Sequence, residues 1–386
     1  MAQFQLLIVN LSFIYQRRNI GIVLTIFLLF SISCRDSYLI RGINDTYLKG
    51  RLNPSIDGYQ KFANRKVTTG TPQPWPIAKC YNNQPLPDEC LQYFKRTKTI
   101  AYIVIRNDSI CYEQYWDGYS DTSHTNSFSA AKSIVSILTG IAIKEGKIKS
   151  VHQKVRDFIP SFNKGMDSLL TIEDLLTMSS GMGFNEDYLS PFGYPAKAYY
   201  GNNLMRTTLS YQVRKEPGKD FNYMSGNSAL LGYVVTLATG ERLSDYASEK
   251  LWQPLGAENA AYWSLDRKDG MEKAFCCFNS NARDFARLGQ LYLDSGKWKG
   301  KEIVPKDYVI ASTTPKLVNY YGYNWWITRC GRHYVPYASG LFGQYIYVIP
   351  DENMVVVRLG RNMGNEDESY YIGAATYMYG KKKIEN

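Results

Sequence analysis

Ser129 and Lys132 stand three residues apart in Ser127-Phe128-Ser129-Ala130-Ala131-Lys132-Ser133, directly before the apolar segment Ile134–Ile143. A helix beginning near Ser129 projects both side chains from one side, so one turn sets an amine beside a hydroxyl. A serine hydroxyl is a weak nucleophile until a neighbouring base takes its proton. A lysine desolvated between apolar walls has its pKa lowered toward that task. First-turn amides favour the negative charge that develops on attack. The residues after Lys132 are apolar nearly all round, which predicts a central, buried helix and a rigid site of low dielectric.

Serine and lysine at this spacing are common, and Ser161-Phe162-Asn163-Lys164 shows the same pattern after Pro160 with no apolar run behind it. Alone, the pair also reads as a helix cap and a solvated lysine. A Ser-His-Asp triad is the rival chemistry, but the chain has no GxSxG elbow, and none of its three histidines stands in a context that favours that role. His124, His152 and His333 lack metal-ligand spacing and no CxxC pair occurs, so neither a metal nor another cofactor is expected.

The elements that must position these residues follow from periodicity. Thr99–Ile105 and Ser109–Trp116 flank Arg106-Asn107-Asp108 as a hairpin. From Ile134 to about Leu291 the pattern is mostly helical, with helices over 172–178 (capped by Thr171), 227–239 (stopped by Gly240), 243–251 and 282–293. Strand character returns at 323–327, 344–349 and 354–359, and 369–380 reads as a closing helix. The expected fold class is α+β: one antiparallel sheet built from both chain ends and flanked by helices, with a mostly helical inserted subdomain. Residues 96–140 and 292–386 form the sheet part and 141–291 the helical part, while the Gly-, Pro- and Asn-rich residues 35–95 read as a linker that wraps the body.

Residues 1–34 read as a targeting segment. Arg17 and Arg18 precede the apolar run Ile20–Phe30, and Ser31-Ile32-Ser33-Cys34 follows, which resembles a lipoprotein signal with Cys34 lipidated; an uncleaved anchor is the alternative. Either reading carries the body out of the cytoplasm and onto a membrane. The formal charge is +10, and removing Arg17 and Arg18 with residues 1–33 leaves +8. That excess is dispersed without a basic stripe and its aromatics, so no nucleic-acid partner is expected. Outside the cytoplasm disulfides are allowed, and Cys80 with Cys90 is the best local candidate.

Three further stretches follow Ser129 in order: Thr171–Gly183 (TIEDLLTMSSGMG), Pro217–Asn227 containing Tyr223-Met224-Ser225, and Ala338-Ser339-Gly340-Leu341-Phe342-Gly343-Gln344. Together with Ser129 and Lys132 they resemble the serine β-lactamase and penicillin-binding-protein superfamily, on the class C side, in its esterase and 6-aminohexanoate-dimer hydrolase branch. The resemblance covers about residue 95 to the end. It implies that Ser129 is acylated, that Lys132 and Tyr223 relay protons, and that the amides of Ser129 and Leu341 form the oxyanion hole. Gly340, Ser339 and Ser225 would line the substrate site. For Tyr223 to act as a phenolate, a nearby cation must lower its pKa, and Lys132 is the expected source.

Two positions depart from the pattern. Ser225 stands where β-lactamases usually carry asparagine, and Ala338 where Lys or His usually begins the third motif. Losing that cation removes the customary anchor for a substrate carboxylate. The implied activity is therefore hydrolysis of an ester or small amide through an acyl-serine rather than efficient β-lactam turnover, with β-lactamase, D,D-peptidase or a low-turnover wall-binding protein as alternatives.

Overall fold

The computed structural model describes residues 38–364 and 369–381. Cys34 and the rest of the targeting segment lie outside the described residues. Among the described residues no helix is long and apolar enough to cross a membrane.

A six-stranded antiparallel sheet joins the two ends of the chain. Its strands are β1 (Thr99–Arg106), β2 (Ser109–Tyr115), β3 (Trp326–Cys330), β4 (His333–Gly340), β5 (Gln344–Ile349) and β6 (Met354–Gly360), in the spatial order β2-β1-β6-β5-β4-β3. The expected helical insert lies between β2 and β3, so the fold is the α+β arrangement read from the sequence. Strand β6 pairs with β1 along its length, Val357 opposite Ile103 and Val355 opposite Ile105, which locks the last strand to the first.

Both faces of this sheet are covered, which is why its central strands are buried at every position and mostly apolar rather than alternating. Ile103, Ile105, Val355 and Val357 enter the core shared with the helical part, where helix Ala282–Leu293 packs on the sheet. Tyr102, Val104, Met354 and Val356 face the opposite layer, made by helices Asp88–Arg96 and Ser369–Tyr379.

Several boundaries differ from the sequence reading. The third sheet strand begins at Trp326 rather than Tyr323, because Asn324 turns through a positive φ of 57° and donates its amide to Leu176 O. The stretch 35–95 is more ordered than its composition suggests: helix Tyr38–Asp45 packs on helix Tyr194–Tyr200, and Asn64–Val67 pairs with Ala261–Ser264 in a second small sheet. Thr171 and Asp174 form a reciprocal capping box at Ile172–Leu176, and Gly240 ends Ser225–Thr239 in the left-handed region. The expected Cys80–Cys90 disulfide is absent. Cys80 instead faces Cys111 with the sulfurs 3.5 Å apart, because residues 77–82 run along β2 rather than toward the helix that carries Cys90. The disulfide among the described residues joins Cys276 to Cys277.

One buried cation ties the sheet to the loop that closes the site. Arg358 on β6 is fully buried, and its guanidinium donates to Phe342 O, Gly343 O, Thr97 O, Asn362 O and Thr99 Oγ1. The carbonyls of 342 and 343 belong to the β4–β5 turn directly after Leu341. Replacing Arg358 by Met leaves these acceptors buried without a donor, and should cost about 3 kcal/mol. Chemical denaturation of Arg358→Met should show a loss of that size, and an unchanged midpoint would contradict it.

Candidate active site

The turn carrying Ser129 is set before the helix begins. Phe128 adopts a positive φ of 45°, a conformation that a bulky residue holds only when its surroundings fix it. Asn126 Oδ1 accepts from the amides of Phe128 at 2.8 Å and Cys277 at 3.1 Å, while Ser127 donates its amide to Phe278 O. The Phe128 ring is buried and meets Phe342 edge-on. The helix therefore opens with a 3-10 turn over Phe128–Ala130 before the regular segment Ala131–Lys144. From 125 to 142 every residue is buried except Ser129, which is partly open. Ser161 of the second serine–lysine pattern sits in an exposed 3-10 turn.

Lys132 Nζ lies 2.9 Å from Ser129 Oγ and 2.9 Å from Phe275 O. Its side chain is buried, and burial lowers the amine's pKa from its ordinary value to about 7, with the nearby Glu186 carboxylate opposing the shift. A substantial fraction is thus neutral near physiological pH and able to accept a proton.

Tyr223 precedes helix Ser225–Thr239, which packs against Ala131–Lys144, so the two helices begin at the same cleft. Its hydroxyl faces Ser129 and the Trp326 indole as hydrogen-bond partners, and Lys132 Nζ lies 5.0 Å from its ring centroid. Tyr321 and Trp326 enclose the ring. The expectation that Lys132 lowers this phenol is corrected: burial pushes Tyr223 well up, with Glu186 adding to the rise. The enclosure that raises the phenol also lowers the lysine, so a neutral phenol faces an amine that is neutral in substantial part near pH 7. Tyr223 is equipped to donate a proton, not to act as a standing phenolate.

The third motif reaches the serine through a close backbone contact. A Cβ at Gly340 would stand 2.0 Å from Ser127 O, so only glycine lets the end of β4 press against the nucleophile turn. That contact sets Leu341 at the wall of the cavity that also exposes Ser129. Ser339 is half-buried in β4 opposite Tyr345 and, like Gly340, lies outside that cavity's lining. Ala338 is buried in the main core and brings no cation to the strand.

Ser225 is buried, lines the same cavity, and its hydroxyl meets Tyr188 OH at 3.1 Å. The sequence reading missed the groups around it. Glu186 Oε1 accepts from Ser225 N at 2.8 Å and from Tyr188 OH at 2.9 Å, while its Oε2 is buried without a hydrogen-bond partner. Both residues come from the aperiodic loop after Gly183, where spacing carries no signal. His333 meets Asp351 and Glu352 at the other end of β4, where Arg106 and Arg332 pair with Glu352 in an ion-pair network.

A fold of this connectivity, with a serine and a buried lysine at the mouth of its central helix, defines the β-lactamase-like hydrolase class. The sequence model of the Beta-lactamase family matches residues 88–374, and the chain belongs to that family. It is 27% identical over 300 residues to the 6-aminohexanoate-dimer hydrolase of Paenarthrobacter ureafaciens, covering 69% of this chain and 74% of that one. Among solved structures, a 6-aminohexanoate-dimer hydrolase candidate from Bacillus anthracis superimposes with a TM-score of 0.74 at 22% identity, over 83% of this chain and 93% of that one. A family VIII carboxylesterase superimposes with a TM-score of 0.62 at 16% identity, over 78% and 98%.

The amine's position predicts the pH dependence of serine acylation. Below the lysine's pKa of about 7 the amine is protonated and cannot take the Ser129 proton, so the rate should rise tenfold per pH unit and level off above that point. Because Glu186 holds the value up, Glu186→Gln should move the midpoint to lower pH. Stopped-flow fluorophosphonate labelling across pH 5–10 checks both, and a midpoint near that of free lysine would contradict the assignment.

Proposed function

We propose that the chain is a secreted, membrane-anchored serine hydrolase that cleaves an ester or amide through an acyl-Ser129 intermediate. The 2.9 Å contact between the buried Lys132 amine and Ser129 Oγ carries this reading. Neutral Lys132 takes the hydroxyl proton as Ser129 attacks the carbonyl carbon. The Phe275 carbonyl, already 2.9 Å from Nζ, accepts from the ammonium that forms. The amides of Ser129 and Leu341 hold the oxyanion, which exists only once the tetrahedral centre has formed. Tyr223 passes its phenolic proton to the leaving group and recovers one from Lys132. Water enters as the leaving group departs, and the same pair takes its proton and returns it to Ser129 Oγ as the bond to the acyl carbon breaks and the acid is released.

Ester or small-amide substrates are favoured over β-lactams and D-alanyl peptides because the strand that usually supplies a carboxylate anchor has Ala338 buried in the core. In place of an asparagine amide, the site offers the Ser225 hydroxyl against Tyr188 OH, with Glu186 accepting from that phenol and from the Ser225 amide. The names of the Paenarthrobacter relative and of the family VIII carboxylesterase support hydrolysis as the reaction type. Export and anchoring rest on the Arg17 to Cys34 stretch of the sequence.

Intact-mass spectrometry of the full-length protein in detergent after fluorophosphonate treatment should show one adduct, mapped to Ser129 and absent from Ser129→Ala. Lys132→Met should slow labelling by about 10³-fold and Tyr223→Phe by about 10²-fold. An undiminished adduct on Ser129→Ala would refute the nucleophile.

A further inference from the structure

The outer half of the cleft takes no part in the proton transfers above. Ile43, Tyr47, Leu52, Leu189 and Phe192 are all exposed, Leu189 at 91% and Leu52 at 76%, and all five line the cavity of about 570 Å³ that ends at Ser129. They come from segments well apart in sequence, 43–52 and 189–192, so the patch is assembled by the fold rather than by one amphipathic element. Apolar side chains left in water forgo the stabilisation of burial, and a contiguous apolar rim of this kind marks a contact surface.

Two further observations say what covers it. Lys49, Arg51 and Lys61 converge on the single carboxylate of Asp45 beside residues 43–52, three cations against one anion on that wall, while Asp187 stands against the amides of Leu189 and Ser190 on the other, which leaves a net excess of one positive charge. The chain also enters here. Tyr38 lines the cavity, and Cys34 precedes it by four residues in sequence, a length of chain that spans at most about 14 Å. The alternative anchor, the apolar run ending at Phe30, stands only eight residues ahead of Tyr38.

We infer that this rim rests on an anionic lipid surface and that Ser129 draws its acyl group from a membrane-resident amphiphile whose long acyl chain occupies the apolar cavity. The substrate claim rests on the serine-hydrolase reading; the lipid contact does not. In the reaction the Ser129 Oγ–acyl bond forms as the acyl carbon's bond to the headgroup breaks, the headgroup leaves with the serine proton, and water then frees the fatty acid. The positive rim holds anionic headgroups at the entrance, while Leu189 and Phe192 open a path for the chain.

Full-length protein, one copy per phosphatidylglycerol-containing nanodisc, tests the contact by hydroxyl-radical footprinting. Leu52 and Leu189 should oxidise at least threefold more slowly than Ile310 and Leu237, although both are more exposed in the structure than these two references. Equal rates would overturn the lipid contact, and protection appearing only in discs loaded with two copies would assign the face to a second chain instead. Kinetics test the substrate: the double variant Leu189→Asp/Phe192→Asp should lose at least tenfold more rate on p-nitrophenyl palmitate dispersed in the same lipid than on soluble p-nitrophenyl butyrate. Equal loss on both esters would overturn the acyl-chain assignment. Absence of Ser129-dependent turnover of either would remove the hydrolase reading and the substrate claim with it, while the footprint still decides the lipid contact.

Discussion

A lysine amine buried between one hydroxyl and one carbonyl is the constraint around which this molecule is arranged. Water solvates an ammonium far better than an apolar core does, so enclosing Lys132 penalises its charged form. Phe275 O and Ser129 Oγ are the acceptors that meet it there. That penalty holds the amine's pKa at about 7, well below the value of a free lysine. It persists only while the helix Ala131–Lys144 stays buried and the segment carrying Phe275 stays in place. The Cys276–Cys277 disulfide, the Asn126 amide and the pairing of Ser127 with Phe278 all act on that segment and on the serine turn it faces.

The rest of the fold serves to bring three distant pieces of chain to this amine. The first and last strands are zipped together, which places the β4–β5 turn over the start of the helix, and Gly340 allows the contact to close. Arg358 holds that turn through the carbonyls of Phe342 and Gly343. Helix Ser225–Thr239 supplies Tyr223 from the helical part. Burial then acts on phenol and amine in opposite directions, raising the pKa of one and lowering that of the other.

The elements that hold the site were legible in the sequence because they are buried and regular. The apolar segment Ile134–Ile143 behind Ser129, the mostly apolar β6 and the Thr171 cap each mark a buried, regular element. The groups that tune the site were not legible. Glu186 and Tyr188 lie on a loop without period, Phe275 acts through a main-chain carbonyl that any residue type offers, and the Tyr223 environment depends on Tyr321 and Trp326, about a hundred residues away. The same reason explains the missed role of residues 38–54: their composition reads as linker, and only the tertiary contact with helix Tyr194–Tyr200 makes them a wall of the cleft.

The ionisation of Lys132 is the most direct test of this account. NMR titration of the full-length protein carrying 13C-labelled lysine, with the Lys132 Cε signal assigned by its loss in Lys132→Met, should show one lysine titrating near the value of about 7 set by its burial. A Lys132 signal that stays protonated to pH 10, like the surface lysines, would contradict it.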